Sequence, residues 1–256
     1  MPWAWAVGRS GGRQVVIATK VNAVFDETTR RVSGGDASPP AIRAACDASL
    51  RRLETDYIDL YQFHDNEYPA VKAGPARETL EELVRQGKIR AYGWSTDFAD
   101  RARVFAEGPK CASIQLQLNV LNDNPEVLAV CEKNNLAAIN RGPLAMGLLT
   151  GAYTAETKPA ADDIRGTKSP KWMKYFKNGT PNPEWLHKRD AIREILTSGG
   201  STIPQGAIGW LWARSSRTIP IPGFRTVKQV EENAAALKLG ALGADQMAQI
   251  EKILGR

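Results

Sequence analysis

Ser49-Leu50-Arg51-Arg52-Leu53-Glu54-Thr55-Asp56-Tyr57-Ile58-Asp59-Leu60-Tyr61-Gln62-Phe63-His64 carries two different periods in succession. Ser49, Leu50 and Leu53 continue the helical spacing of Ile42, Ala45 and Cys46, and Tyr57 to His64 then reads as a strand. A helix handing over to an apolar, β-branched and aromatic run is half of a parallel α/β repeat. Ser38 is the expected N-cap of that helix, with Pro39 and Pro40 in its first turn. Upstream, a long polar loop separates Ser38 from Gln14-Val15-Val16-Ile17-Ala18-Thr19-Lys20, the pattern of a parallel strand whose last residue reaches a functional rim.

The same rhythm continues downstream. A helix carrying Leu80, Leu83 and Val84 stops at Gly87, and Ile89 to Ser95 follows as a strand. Asp97 is the expected cap of the next helix, then come a strand over 113–119, a helix opened by Asn124 and Pro125, and a strand over 136–140. From Gly151 to Pro183 the rhythm lapses into a long insertion containing Lys171-Trp172-Met173-Lys174-Tyr175-Phe176-Lys177. Loops of this length are uncommon unless they carry function, and the aromatics suit either a roof over a substrate pocket or packing of the loop itself. Helices resume around Ile192, Ile195, Leu211 and Trp212, and a strand over 218–223 leads to a helix capped by Thr226 and a last helix with Met247, Ile250 and Leu254.

Strands alternating with helices imply a parallel sheet, doubly wound or closed as a barrel. No GxGxxG follows any strand, which argues against a dinucleotide-binding Rossmann fold. The expected fold is a TIM (β/α)8 barrel of which six strands are legible, the first two β/α units having no counterpart. A chain of 256 residues with 43% hydrophobic positions supports one domain, 1–256, with 151–183 as its loop insertion.

The charge, 34 basic against 28 acidic residues for a net +6, is scattered through amphipathic stretches. That argues against nucleic-acid binding and fits an anionic small ligand or a solvated basic surface equally well. Cys46, Cys111 and Cys131 form no paired motif, and His64 and His187 are the only histidines, so neither a metal site nor a disulfide framework is expected. Cys46 and Cys131 fall on apolar helix faces as buried free thiols, which suits a reducing cytoplasm. Met1 to Gly8 contains an Ala-x-Ala look-alike without a basic segment before it, and no stretch approaches the roughly 20 apolar residues of a membrane helix. A cytoplasmic protein, without membrane or nucleic-acid partners, is the expectation; the oligomeric state is left open.

Functional groups of parallel barrels sit where strands end, and the residues so placed are Lys20, His64, Ser95, Gln115, Arg141 and Gly223. Their order along the chain resembles the aldo-keto reductase family from Val15 to nearly the last residue. Val16 to Lys20 resembles the family's catalytic-lysine strand, Ser49 to His64 the signature leading to its catalytic histidine, and Gly87 to Ser95 the strand that holds the nicotinamide. Gln115 with Leu118-Asn119, then Gly142 to Gly151, then Pro222-Gly223-Phe224-Arg225 with Gln229, Glu232 and Asn233, complete the set. The departures are Thr96 where Asn is frequent, Leu118 where Tyr is usual, and Arg141 where many relatives carry a tyrosine under the nicotinamide ring.

The resemblance implies an oxidoreductase that transfers a hydride between NADPH and a small aldehyde or ketone. Lys20 and His64 are the implied catalytic residues: an ammonium beside a tyrosine, whose unperturbed pKa is about 10, favours the phenolate, and the imidazole orients the carbonyl. Ser95, Thr96 and Gln115 are implied at the nicotinamide, Arg141 stacked on its ring, and Gly142, Pro143 and Leu144 further along the cofactor. Arg225 suits the 2′-phosphate, with Gly223 and Gln229 beside it and Glu232 and Asn233 at the adenine. The family's aspartate and tyrosine belong to its first two strand-helix units and match no position here. Tyr68, four residues after His64, reads as a packed loop tyrosine and is not assigned to catalysis. The alternative is a catalytically inactive NADP-binding regulatory or structural protein. An unrelated phosphate-binding barrel would want a Gly-rich loop near the last strands, for which Gly223 alone is thin support.

Overall fold

A computed structural model describes residues 15–26, 28, 29, 31–160 and 162–256; the readings of Met1 to Gly8 and of Gln14 lie outside them. The chain divides into two compact units, one reaching Leu116 and including Pro125–Ala138, the other made of Gln117–Asn124 and Ile139–Arg256.

The first unit holds β1 (Ala18–Val21), β2 (Ala23–Asp26), β3 (Arg31–Gly35), α1 (Pro39–Leu53), β4 (Ile58–Phe63), α2 (Gly74–Arg85), β5 (Ile89–Ser95), α3 (Ala99–Ala106), nearly all of β6 (Cys111–Gln117), α4 (Pro125–Lys133) and the start of β7 (Ala137–Arg141). Strands β1, β4, β5 and β6 lie side by side in that order and pair in parallel. Ser38 caps α1 by accepting from the Ala41 N–H, and Gly87, with φ 73°, ends the turn after α2 as its position in the sequence requires.

Because side chains alternate along a strand, the register sorts them by face. On one face Phe63 and Trp94 are neighbours in register and pack with Phe105 of α3, ring centroids 5.2 to 5.8 Å apart for Phe63 with Trp94 and Phe105. Tyr92, on the same face, donates to Glu81 Oε1 at 2.6 Å, and a Cβ on Gly108 would stand 1.8 Å from its hydroxyl, so that turn must be glycine.

The second unit contains the end of β7, β8 (Phe176–Lys177), β9 (Thr180–Pro181), α5 (Pro183–Ala191), α6 (Arg193–Leu196), α7 (Ile203–Arg214), β10 (Thr218–Pro220), α8 (Val227–Leu239) and α9 (Ala244–Leu254). Here Ile221, just past β10, donates to the Asn140 carbonyl of β7 at 3.2 Å. Helix α7 is buried along most of its length, and Thr202 and Gln205 close a capping box at its start.

All six expected strands are present within a few residues of their predicted bounds, and the parallel α/β fold class is borne out. Three local readings change. The polar loop before Ser38 contains the antiparallel hairpin of β2 and β3, whose turn is drawn together by Asp26 Oδ1 accepting from the Thr28 and Thr29 N–H groups at 2.8 Å each. The 151–183 stretch contains a second small hairpin, β8 and β9, turning on Asn178 and Gly179 with φ 53° and 75°. Finally, α3 begins one residue later than expected: its N-cap is Phe98, without a side-chain bond, and not Asp97. Among the described residues no helix is long and apolar enough to cross a membrane.

Candidate functional site

In the first unit the face opposite the aromatic layer is polar. Lys20 pairs in register with Gln62, Gln62 with Gly93, and Gly93 with Ser113. Two residues further along each strand, and therefore on the same face, stand His64, Ser95 and Gln115; Ser95 and Gln115 are themselves in register. The His64 N–H donates to the Val21 carbonyl at 2.9 Å, fixing the histidine beside the end of the lysine strand. Both Lys20 and His64 are exposed, whereas Ser95 and Gln115 are almost fully buried. Thr96 is buried, and its N–H donates to the Gln115 carbonyl at 2.9 Å. Five expected residues, Lys20, His64, Ser95, Thr96 and Gln115, are thus gathered at one end of four neighbouring strands.

Several members of this group were not singled out in the sequence. Gln62 is 2% exposed and its Oε1 has no protein partner; Ser113 Oγ is likewise unpaired. Both were legible by period two from His64 and Gln115. Gly93 makes room for Ser113, since a Cβ there would stand 2.3 Å from the Ser113 carbonyl oxygen and 2.5 Å from its Oγ. Asn22, held at φ 108°, donates from Nδ2 to Asp65 Oδ2 at 3.4 Å and so ties the segments after Lys20 and His64. Tyr68 packs edge-on against Phe63 with centroids 5.2 Å apart, the packing role expected of it.

In the second unit Arg141, half-buried, ends β7, and its carbonyl accepts from the Leu118 N–H at 3.4 Å. Gly142 follows at φ 63°, its carbonyl accepting from Asn119 Nδ2 at 2.9 Å. Pro143 and Leu144 are buried, and Ala145, Met146 and Gly147 then run at φ 49°, 57° and 94°. Consecutive left-handed residues are costly outside glycine, and such strain collects at sites that hold a ligand against the backbone. The aromatics of the long insertion divide. Tyr175 and Phe176 are buried, the Tyr175 hydroxyl accepting from Asn119 Nδ2 at 2.9 Å, so these two pack the insertion, while Trp172 is exposed.

Gly223 is exposed, and a Cβ there would meet nothing within 4 Å. Arg225 is 78% exposed, and its Nη2 lies 3.4 Å from Asp163 Oδ2. Asp163 is in turn gripped by Arg165, whose hydrogen bonds hold its carboxyl well below the usual carboxylate range. Gln229 serves the local backbone: its Oε1 accepts from the Arg225 and Thr226 N–H groups at 2.7 and 3.3 Å, completing the capping box of α8. Glu232 and Asn233 follow at helical spacing on the same side of α8, half-buried.

Comparison with known proteins places the chain in a family. The model of the aldo/keto reductase family matches residues 5–255. An aldo-keto reductase [NADP(+)] of Schizosaccharomyces pombe is 33% identical over 244 residues, a match covering 93% of this chain and 68% of that protein. The NADH-specific methylglyoxal reductase of Escherichia coli is 30% identical over 253 residues, covering 91% of this chain and 72% of that protein. Among solved structures, the glycerol dehydrogenase of Gluconobacter oxydans superimposes with a TM-score of 0.80 at 28% identity, over 99% of this chain and 77% of that one. The chain belongs to the aldo/keto reductase family.

Proposed function

We propose that this chain binds NADPH and serves the reduction of a small aldehyde or ketone. The observation that carries the reading is the polar face of the first unit, where the register of β1, β4, β5 and β6 sets Lys20, His64, Ser95 and Gln115 on one side at the strand ends. In parallel α/β folds of this class reacting groups are recruited from such ends. The donor set fits the cofactor: Ser95 and Gln115 offer uncharged donors and acceptors suited to a carboxamide, and Arg225 offers an exposed guanidinium suited to a phosphate. When bound, NADPH supplies the hydride.

The chain's own residues have separate tasks. Lys20 presents a positive charge that favours whatever anion develops beside it, and His64 orients the carbonyl by hydrogen bonding to its oxygen. The left-handed turn from Ala145 to Gly147 is read as backbone shaped for the cofactor, together with Gly142, Pro143 and Leu144. Arg141 would offer its guanidinium plane to the nicotinamide ring, where many relatives carry a tyrosine. Glu232 and Asn233 hold the adenine, with Gly223 and Gln229 shaping the approach. Relatives named for NADP(+) and for NADH both occur, so the preference for NADPH rests on Arg225.

The aspartate and tyrosine of the family match no position in these 256 residues. Nucleotide binding by this chain is therefore expected to be separable from turnover. Fluorescence titration with NADPH should show saturable binding, while NADPH oxidation with a small aldehyde should be slow or undetectable. Absence of binding would remove the proposal. Rapid turnover would show that a proton donor other than the family's tyrosine is at work. A slow rate that disappears in Lys20→Met marks an enzyme, whereas binding with no rate at all is what an NADP-binding regulatory protein would show.

A further inference from the structure

Asp163 lies in the long insertion of the second unit and has 10% of its side chain exposed. Its Oδ1 accepts from the Arg165 backbone N–H at 2.9 Å and from Arg165 Nε at 2.7 Å. Its Oδ2 is shared by two guanidinium groups, Arg165 Nη2 at 2.6 Å and Arg225 Nη2 at 3.4 Å. Arg165 is itself immobilised: it sits over the Tyr153 ring at 5.2 Å and donates to the Met146 carbonyl at 3.2 Å, while Gly147 leaves it room. The carboxylate is therefore held in place by one arginine and turned toward another, and the second is the exposed group read above as the phosphate ligand. An anion arriving at Arg225 meets a resident anion.

We propose that Asp163 is a specificity-determining residue for the nucleotide: its carboxylate occupies Arg225, a 2′-phosphate must exchange for it, and it thereby limits the preference for NADPH over NADH. The inference rests on the reading of Arg225 as the phosphate ligand. Its physics has two parts. A phosphate at Arg225 displaces a charge-assisted contact and adds negative charge beside a carboxylate that Arg165 keeps ionised. A 2′-hydroxyl carries no such penalty, and a carboxylate is a good acceptor for it.

The test is calorimetric titration of the full chain with adenosine 2′,5′-bisphosphate and with adenosine 5′-phosphate. Asp163→Asn retains an oxygen for the Arg165 N–H and Nε and removes the charge. It should raise affinity for the bisphosphate about three- to fivefold relative to the 5′-phosphate, the scale of an ion pair whose arginine is solvent-exposed. The gain should vanish when Arg225→Ala is combined with it. Asp163→Ser, which keeps a short acceptor for the same N–H, should reproduce the effect if Asp163→Asn folds poorly. Equal changes for both probes, or none, would overturn the role of Asp163 while leaving the phosphate assignment intact, provided Arg225→Ala still weakens the bisphosphate. If Arg225→Ala has no effect in the unaltered chain, or neither probe binds, the assignment of Arg225 fails and the proposal falls with it.

Discussion

Arg225 is the residue on which the cofactor reading turns most sharply, because a 2′-phosphate is the only chemical difference between NADPH and NADH. Replacing it with alanine removes the guanidinium and leaves the backbone bonds to Gln229 in place, since those use the Arg225 N–H. Arg225→Ala should therefore abolish any preference for NADPH over NADH, read as the ratio of the two dissociation constants, without lowering the thermal midpoint. Equal constants in the unaltered chain would refute the assignment. Lys20, His64, Ser95 and Gln115 were legible in the sequence because each stands at or near the end of a predicted strand and because the order of their motifs resembles the family's. Asp163 was not: its partner Arg225 lies 62 positions away, and an acidic residue inside a polar insertion has no local pattern to mark it. Gln62 and Ser113 belong between these cases, being placed by simple alternation once the strands are drawn.

At the scale of elements, the helices were read most reliably where a cap announced them. Thr226 and Gln229 both start α8 and shape the segment that presents Arg225, so one capping box supports a stability element and a binding element together. Thr226→Ala should destabilise the protein by about 1 kcal/mol, a drop of about 2–4 °C in Tm for a chain of this size, and should weaken adenosine 2′,5′-bisphosphate binding at the same time. Calorimetry showing an unchanged Tm would mean that α8 is held by packing alone. The two hairpins escaped notice for different reasons. Asn178-Gly179 is a strong turn signal, but its strands are two residues each, too short for a period to show. In the other, the turn begins at Asp26, and the exposed β2 and β3 lack the apolar alternation by which strands are recognised.

For the whole molecule, stability should be flat around neutral pH and fall on both sides. Asp163 and Asp190 have carboxyl pKa values lowered by their arginines, so their stabilisation is complete above the ordinary carboxylate range and is lost as pH falls through it and toward the folded values. Burial pushes the Cys46 thiol up to about 11 and Cys131 to about 12, and raises Tyr61 and Tyr92 as well. Those groups favour the folded state below their ordinary pKa values, about 9 for the thiols and about 10 for the phenols, and the benefit is lost progressively as pH rises from there toward the raised folded values. Urea midpoints measured from about pH 3 to about pH 10 should trace a plateau bounded by these two declines; a maximum at the isoelectric point near 9.3 would contradict it. The order and kind of the main elements came from the chain alone, since periodicity, caps and the glycine stops act over a few residues. Which polar groups share a face, which of them are left without a partner, and which carboxylate stands against Arg225 depended on strand register and on how a long insertion packs. Those choices are made between residues distant in the chain, where the free energy lies in burial and pairing rather than in local propensity.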